Sequence, residues 1–375
     1  MDCVNRLRAE TVRILYPVGR GCPRRRDRGG LRRRAAGGVC GGIGGGDQSR
    51  RELLMSLVFL SEADVRANLT MRQVLDALEH TFRRLADGEV DYRPRQRVRV
   101  AGAMLHVLPA ASEDSGLLAF KCYLSTRQSV TFHVVVYDRR VGAPIAIIEA
   151  DQLGRLRTGA ATGLATKYLA RRDARTVGVI GTGRQAYCQV EAICCVREVE
   201  QVLVYSRQQE HRERFASLVS ERLVPCVAVG TAEEAVRNRD IVVTVTNSRD
   251  PVLLGEWLAP GTHVNAVGSN ALSRAEIDTV CIQRAAIVAC DSREQCAQEA
   301  GDFVPLMESG EWKWSDAVEL AELIAGWHPG RLHDDQITVF KSVGIALEDL
   351  AAATRLLRNM GLWPPPLSTA EPEES

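Results

Sequence analysis

The sequence predicts an α/β protein whose second half is a doubly wound parallel sheet and whose front half is rich in strands. Three observations carry this. From Thr176 onward, short apolar strands alternate with helical stretches, the pattern of a parallel sheet covered on both faces. Between Gln96 and Glu149, strands follow one another across short turns, as antiparallel neighbours do. A glycine turn, Gly181-Thr182-Gly183-Arg184-Gln185-Ala186, stands where the first strand of the alternating half meets its helix.

The chain has 375 residues, enough for two domains, and its 45% hydrophobic and 25% charged residues are those of an ordinary globular protein. The formal charge is only +1, but arginine is concentrated in the first fifty-odd positions, so the remainder is mildly acidic. A balanced body without a basic stripe offers no footprint for nucleic acid. No apolar run approaches the ~20 residues that cross a bilayer, so no membrane partner is expected. The 11 cysteines form no CxxC pair and interleave with no histidine spacing, which suggests neither zinc nor a disulfide framework. Cys194 and Cys195 read as small fillers on a helix. Free thiols imply a reducing compartment, and a cytoplasmic location is expected.

Residues 1–54 do not resemble the rest. Arg20 to Arg51 contain almost nothing that could fill a core and much glycine to oppose ordering, so this extension is expected to be disordered. It lacks the apolar centre of a secretory signal and the amphipathic stripe of a transit peptide. The simplest account is translation from Met55, with a nucleic-acid-binding arm as the alternative.

Leu57 to Leu60 form a short strand, and Ser61 with Asp64 has the spacing of a capping box that opens a helix. Met71, Val74, Leu75, Leu78, Phe82 and Leu85 make one stripe of a second helix, ended by Asp87-Gly88. Strands follow at Gln96 to Val100, Met104 to Leu108, Leu117 to Cys122, Thr131 to Tyr137 and Pro144 to Glu149. The turn from Asp138 to Gly142 makes the last two a hairpin. Gly154 to Ala170 is a long helix. The alternating half has strands at Thr176 to Ile180, Gln201 to Tyr205, Val224 to Val229, Ile241 to Thr246, His263 to Val267 and Ala286 to Ala289. After Trp312 a polar loop leads to a last helix, Thr338 to Asn359, and Trp363-Pro364-Pro365-Pro366 opens a frayed tail over 361–375.

The glycine turn has a chemical reading. Gly181 permits the tight turn, Gly183 lets a pyrophosphate approach the backbone, and Ala186 allows close packing of helix on strand, as in a Rossmann dinucleotide site. The strand before and the helix after make this more than a bare GxGxxA, whose bland alternative is a tight structural turn. The residue reading the adenosine ribose belongs at the end of the second strand, about 20 positions on, and is usually acidic for NAD. Here Tyr205-Ser206-Arg207 stand there, with no carboxylate for a 2′-hydroxyl, and Ser206 and Arg207 suit a 2′-phosphate. NADP(H) is therefore favoured over NAD(H). An Arg207 that is merely solvated keeps NAD open.

Several segments together resemble the ornithine cyclodeaminase/mu-crystallin family. They are Arg157-Thr158-Gly159-Ala160-Ala161, the glycine turn itself, Thr244-Val245-Thr246, Gly261 through Val267-Gly268, Glu299-Ala300-Gly301-Asp302, and Thr338 through Val343-Gly344. The resemblance covers Met55 to Met360. It implies a homodimer in which a Rossmann domain (171–330) is inserted into an α+β substrate-binding and dimerisation domain (55–170 plus 331–360). It also implies hydride exchange between a nicotinamide and the α-carbon of a small amino acid, its imine, or a 2-oxo acid with an amine.

By position, Lys121 and Arg157 resemble the family's substrate-carboxylate anchors, and Arg97, with Arg95 less favoured, a third. A guanidinium grips a carboxylate in bidentate fashion, and an ammonium adds charge and can shuttle a proton. The alternative makes Arg95, Arg97 and Arg99 surface strand residues. The resemblance also places Thr158 on the pyrophosphate, Thr244, Thr246, Val267 and Gly268 along the cofactor, and the backbone of Val343-Gly344 at the carboxamide. Asp302 is read either as an acid/base or as a cap.

One departure decides the sub-function. Cyclodeaminases of the family carry an aspartate just after the fifth strand, where this chain has Gly268-Ser269-Asn270. An amide is a poor general base at neutral pH. Asn270 therefore favours reduction of a preformed imine, by a ketimine or pyrroline-2-carboxylate reductase, or an amino-acid dehydrogenase. A cyclodeaminase with recycled NAD and a non-catalytic small-molecule-binding protein in the manner of mu-crystallin are the alternatives.

Overall fold

Two eight-stranded sheets carry the chain, and the computed structural model describes residues 57–363 together with the backbone of Thr11–Val12. The front half runs β1 (Thr11–Val12), β2 (Leu57–Leu60), α1 (Glu62–Asn68), α2 (Met71–Ala86), β3 (Val90–Tyr92), β4 (Gln96–Val100), β5 (Ala103–Ser112), β6 (Leu117–Thr126), β7 (Val130–Asp138), β8 (Ala143–Glu149) and α3 (Asp151–Leu169). The front sheet has the order β1-β2-β8-β7-β6-β5-β3, with β4 also on β5. Strands β5 to β8 form an antiparallel meander, while β2 joins β8 in parallel. The capping box at α1 forms as read: the Ser61 amide donates to Asp64 Oδ2 at 2.8 Å and the Asp64 amide to Ser61 Oγ at 3.3 Å.

Helix α3 leads from this sheet to the next. Small residues let it sit close to a neighbour, because a Cβ on Gly159 would run into the backbone carbonyl of Cys188. The second half then runs β9 (Thr176–Ile180), α4 (Ala186–Val196), β10 (Gln201–Tyr205), α5 (Gln209–Arg222), β11 (Cys226–Ala228), α6 (Ala232–Val236), β12 (Ile241–Thr244), β13 (His263–Ala266), α7 (Thr279–Gln283), β14 (Ala285–Cys290), α8 (Arg293–Glu299), α9 (Val304–Ser309), β15 (Val318–Glu319), α10 (Leu320–Ala325), β16 (Ile337–Lys341) and α11 (Ala346–Asn359). All pairs in the sheet β11-β10-β9-β12-β13-β16-β14-β15 are parallel. Chain order reverses at β9, so the switch point lies between β9 and β12 at the end of the strand that feeds the glycine turn. Apolar clusters cover the two faces of this sheet, and a third joins the front sheet to α2, α3 and α11.

The last segment differs from expectation. The helix read from Thr338 begins at Ala346, and Ile337–Lys341 is a strand inserted between β13 and β14. Buried on both faces, it has no alternation to distinguish it from a helical turn. Residues 337–341 thus belong to the parallel sheet, inside the stretch assigned by resemblance to the substrate domain, and α11 packs into the front core. The region after Trp312, read as a loop, contains α10. Short β3 and β15 had no sequence signal. Of the extension 1–54, all but β1 lies outside the described residues, and β1 pairs with β2, which its reading as an unstructured arm did not foresee. Residues 364–375 also lie outside. Among the described residues no helix is long and apolar enough to cross a membrane.

Candidate active site

The glycine turn is built as a cradle. Gly181 has φ +109°, and a Cβ there would sit 2.5 Å from the Val245 carbonyl oxygen, so only glycine lets β9 turn beside the end of β12. Gly183 is the opposite case: a Cβ on it would meet nothing within 4 Å. That face is open at the start of α4. Ala186, the first residue of α4, is fully buried against the sheet. Gln185 precedes it without a side-chain cap, and Arg184 is exposed, 3.6 Å from Asp151 on α3. A cavity of about 750 Å³ runs from Thr182-Gly183-Arg184 between α3, α4 and α5 and is lined by Arg155, Arg214 and Arg222.

At the end of β10, Ser206 is half-buried and its Oγ accepts from Thr182 Oγ1 at 3.1 Å. Arg207 is exposed. A second guanidinium, on Arg212, donates to the Ser206 carbonyl at 3.0 Å and lies over the Tyr205 ring. No carboxylate ends this strand.

Strand ends β12, β13 and β16 are tied together by buried charge. Glu276 accepts from the Thr246 amide (2.5 Å), the Thr246 hydroxyl (2.8 Å) and the Gly268 amide (2.6 Å). The Val267 amide donates to the Thr244 carbonyl at 3.0 Å, and the Thr244 hydroxyl is buried without a partner. Asp302 accepts from the amides of Glu276 (2.6 Å) and Ile277 (3.2 Å) and pairs with Lys341 Nζ at 2.7 Å. Burial favours its neutral form, but the Lys341 ammonium and these donors hold Asp302 below the usual carboxylate range. These contacts fit the reading of Asp302 as a cap.

Lys121 and Arg157 converge, although they come from β6 and α3. Lys121 Nζ lies 3.0 Å from Asp349 Oδ1, and Arg157 Nε lies 3.1 Å from the same oxygen. Arg157 Nη1 donates to Glu348 Oε2 at 2.6 Å, while Nη2 carries no protein partner among the described residues. Gly344, at φ +74°, brings the chain so close that a Cβ would strike the Arg157 guanidinium. Burial, with Arg157 adding, draws the Lys121 ammonium down to about 8 against the pull of Asp349. Burial also pushes Glu348 up to about 8, opposed by Arg157 and helped by Asp291 and Asp349.

A second cationic pair adjoins this one. Arg95 and Arg97 both bind Glu299, and Arg97 also reaches the Asn270 carbonyl at 3.4 Å. Arg95, the less favoured in sequence, is the buried one, Arg97 is half-buried and Arg99 exposed. The Asn270 residue is exposed in the loop after β13. The Val343 and Gly344 amides donate to Asp291 Oδ2 (2.8 and 2.7 Å), and their carbonyls accept from Arg95 (2.9 and 3.0 Å). The Gly344 carbonyl also accepts from Gln295 Nε2 at 2.9 Å, so the backbone offered by resemblance to a carboxamide is engaged, with one spare lone pair left on the Val343 carbonyl. Thr158 turns its hydroxyl onto the Gly154 carbonyl at 2.7 Å.

Sequence reasoning missed the carboxylates. Glu348 and Asp349 stand in the first turn of α11, where acids are ordinary partners of the helix dipole. Their one signal is position: both are fully buried in an otherwise apolar stretch.

A family model described as the ornithine cyclodeaminase/mu-crystallin family matches residues 55–360. The chain is 40% identical over 233 residues to a Delta(1)-pyrroline-2-carboxylate reductase of Bacillus cereus, covering 61% of this chain and 71% of that one. It superposes with a TM-score of 0.77 and 34% identity on the Thermococcus litoralis Delta(1)-pyrroline-2-carboxylate reductase in complex with NADH and L-proline, over 80% of this chain and 96% of that one. An archaeal alanine dehydrogenase dimer with bound NAD gives 0.76 and 31%, over 80% and 95%.

Proposed function

The chain belongs to the ornithine cyclodeaminase/mu-crystallin family, and from that premise we propose that it reduces the C=N bond of a small cyclic or acyclic imino acid, or runs the reverse oxidation of the amino acid. The carrying observation is that Lys121 and Arg157, from different elements, share Asp349 Oδ1 while Arg157 Nη2 stays without a protein partner. That is a prepared anchor for a carboxylate. The resemblance to pyrroline-2-carboxylate reductases points to the same bond.

The residues at the glycine turn fit a dinucleotide: Gly183 is open, and Gly181 packs against Val245. When bound, the nicotinamide supplies or takes the hydride. Arg157 orients the substrate carboxylate, which fixes the α-carbon. Lys121 Nζ, drawn down to about 8, can hold or release a proton at the substrate nitrogen near neutral pH. Asp349 keeps both cations aimed. NADP(H) is the favoured cofactor, supported by Ser206, Arg207 and Arg212 and by the missing carboxylate at the end of β10. We assign 57–170 with α11 to a substrate and dimerisation part and Thr176 to Lys341 to a nucleotide part, and the assembly to a homodimer, as in the archaeal relative.

The test offers purified protein NADPH or NADH with Δ1-pyrroline-2-carboxylate, other cyclic ketimines, and 2-oxo acids with ammonia. Loss of the reduced-nicotinamide absorbance is expected, and Lys121→Ala should lower kcat by about 100-fold or more. No loss with any pair overturns the reading. Ammonia release from ornithine without net cofactor consumption would instead make the protein a cyclodeaminase.

A further inference from the structure

Four cations and four carboxylates meet behind the proposed carboxylate anchor: Arg95, Arg97, Lys121 and Arg157 against Asp291, Glu299, Glu348 and Asp349. Formally the cluster is neutral with every acid charged. A substrate carboxylate on Arg157 adds a negative charge, and buried like charges at contact distance do not all stay ionised. Resting on the function proposed above, we propose that Glu348, when ionised, takes up a proton as a carboxylate substrate binds Arg157 and gives it back when the product leaves.

The donors around each acid single out Glu348. Asp291 Oδ2 accepts from Ser342 Oγ, the Val343 amide and the Gly344 amide. Glu299 is held by Arg95, Arg97 and Gln295. Asp349 serves both Lys121 and Arg157. Glu348 has one donor, Arg157 Nη1 on Oε2, and its Oε1 is buried with no partner. Protonating Asp291 or Glu299 removes an acceptor that several donors need. Asp349 Oδ2 is, like Glu348 Oε1, buried without a partner, but a proton there would weaken the hold of Oδ1 on two cations, Lys121 and Arg157, whereas an O–H on Glu348 Oε1 weakens a contact with Arg157 alone.

The charged groups facing Glu348 are Arg157 from α3, Asp291 after β14 and its neighbour Asp349. Arg157 favours its ionised form, and the two aspartates oppose it. The proton comes from solvent, forms an O–H bond on binding and returns on release, so it is not the proton consumed in reducing C=N. A site poised near pH 8 is mostly neutral at Glu348 at pH 7 and mostly charged at pH 9. Uptake should be small at the first and close to one proton at the second. Lys121 titrates in the same range, so the two groups are separated by a variant and not by curve shape.

The experiment is titration calorimetry on the full chain saturated with reduced dinucleotide, with which neither probe can exchange a hydride, and with L-proline and pyrrole-2-carboxylate as probes. Runs at pH 7 and 9, each in two buffers of different ionisation heat, give protons taken up per ligand. At pH 9, Glu348→Gln should take up about one proton fewer than the wild type. Its affinity should also fall about tenfold less between the two pH values. Equal uptake in both proteins overturns the inference while leaving the function standing. Failure of the wild type to bind either probe at either pH, with no turnover of any imine, overturns both. If Glu348→Gln does not fold, infrared difference spectra of the wild type at pH 9 decide. A protonated-carboxyl C=O band induced by the probe supports the uptake, and its absence removes it.

Discussion

Asp302 and Lys341 form an ion pair at 2.7 Å with both side chains fully excluded from solvent. A carboxylate in that setting holds the loop at Glu276-Ile277 to the end of β16, away from solvent. Asp302→Asn keeps the shape and one acceptor but leaves a buried ammonium short of its partner. Such a loss costs about 3 to 5 kcal/mol. Urea unfolding should show a drop of that order. A catalytic acid/base would give the opposite result, with unchanged stability and a large fall in kcat.

The contrast between Asp302 and Lys121 shows what the sequence could disclose. The glycine turn was legible because its chemistry is local: strand, turn and helix occupy consecutive residues. Lys121 and Arg157 were legible through motif position. That they share Asp349 was not, because the register of β6 against α11 depends on β16, which the pattern from Thr338 to Asn359 concealed as helix. Five consecutive buried residues have neither the alternation of a half-exposed strand nor enough length to show a helical period. After β16 and the positive-φ turn at Gly344, α11 starts at Ala346 and its first turn carries Glu348 and Asp349 into the cluster.

Cofactor preference follows from the end of β10. Arg207→Ala should lower the ratio of kcat/KM for NADPH over NADH by about tenfold, the worth of roughly 1.4 kcal/mol of lost phosphate contact. Ser206→Asp should move the ratio further in the same direction by supplying an acceptor for the ribose hydroxyl. Initial rates with both cofactors measure this. A ratio indifferent to both changes would mean that the exposed Arg207 is simply solvated and that the phosphate, if selected at all, is held elsewhere.

The two glycines of the turn should separate folding from binding. In Gly181→Ala the added methyl meets the Val245 carbonyl at 2.5 Å in a backbone region that L-residues rarely adopt. The apo protein should lose about 1 to 3 kcal/mol of stability. In Gly183→Ala the methyl meets no protein atom within 4 Å, so apo stability should stay within about 0.5 kcal/mol. Dinucleotide affinity, followed by quenching of tryptophan fluorescence, should nonetheless fall about tenfold or more, because the methyl stands where the pyrophosphate comes closest. Unaltered affinity in Gly183→Ala would place the pyrophosphate away from this turn.

His263 lies on the central strand β13 with no solvent exposure. Its Nε2 faces Asn265 Oδ1 at 3.2 Å, an acceptor, so the neutral ring carries its proton there, and Nδ1 faces Thr338 Oγ1 at 2.9 Å. Burial, with Arg331 adding, draws the imidazole down to about 3 from 6.5. The folded state therefore refuses a proton that the unfolded chain accepts below pH 6.5. The stability this group contributes is complete above that pH and is lost as pH falls toward the folded value. Between pH 7.5 and 5 the loss should be about 2 kcal/mol. His263→Gln retains a donor toward Asn265 but has nothing to titrate. Its stability at pH 7.5 should be lower, and its fall to pH 5, measured by urea unfolding at both values, should be smaller than that of the wild type by about 2 kcal/mol. Equal falls in the two proteins would mean that the ring accepts its proton in place, and that Asn265 and Thr338 reorganise around an imidazolium within the sheet.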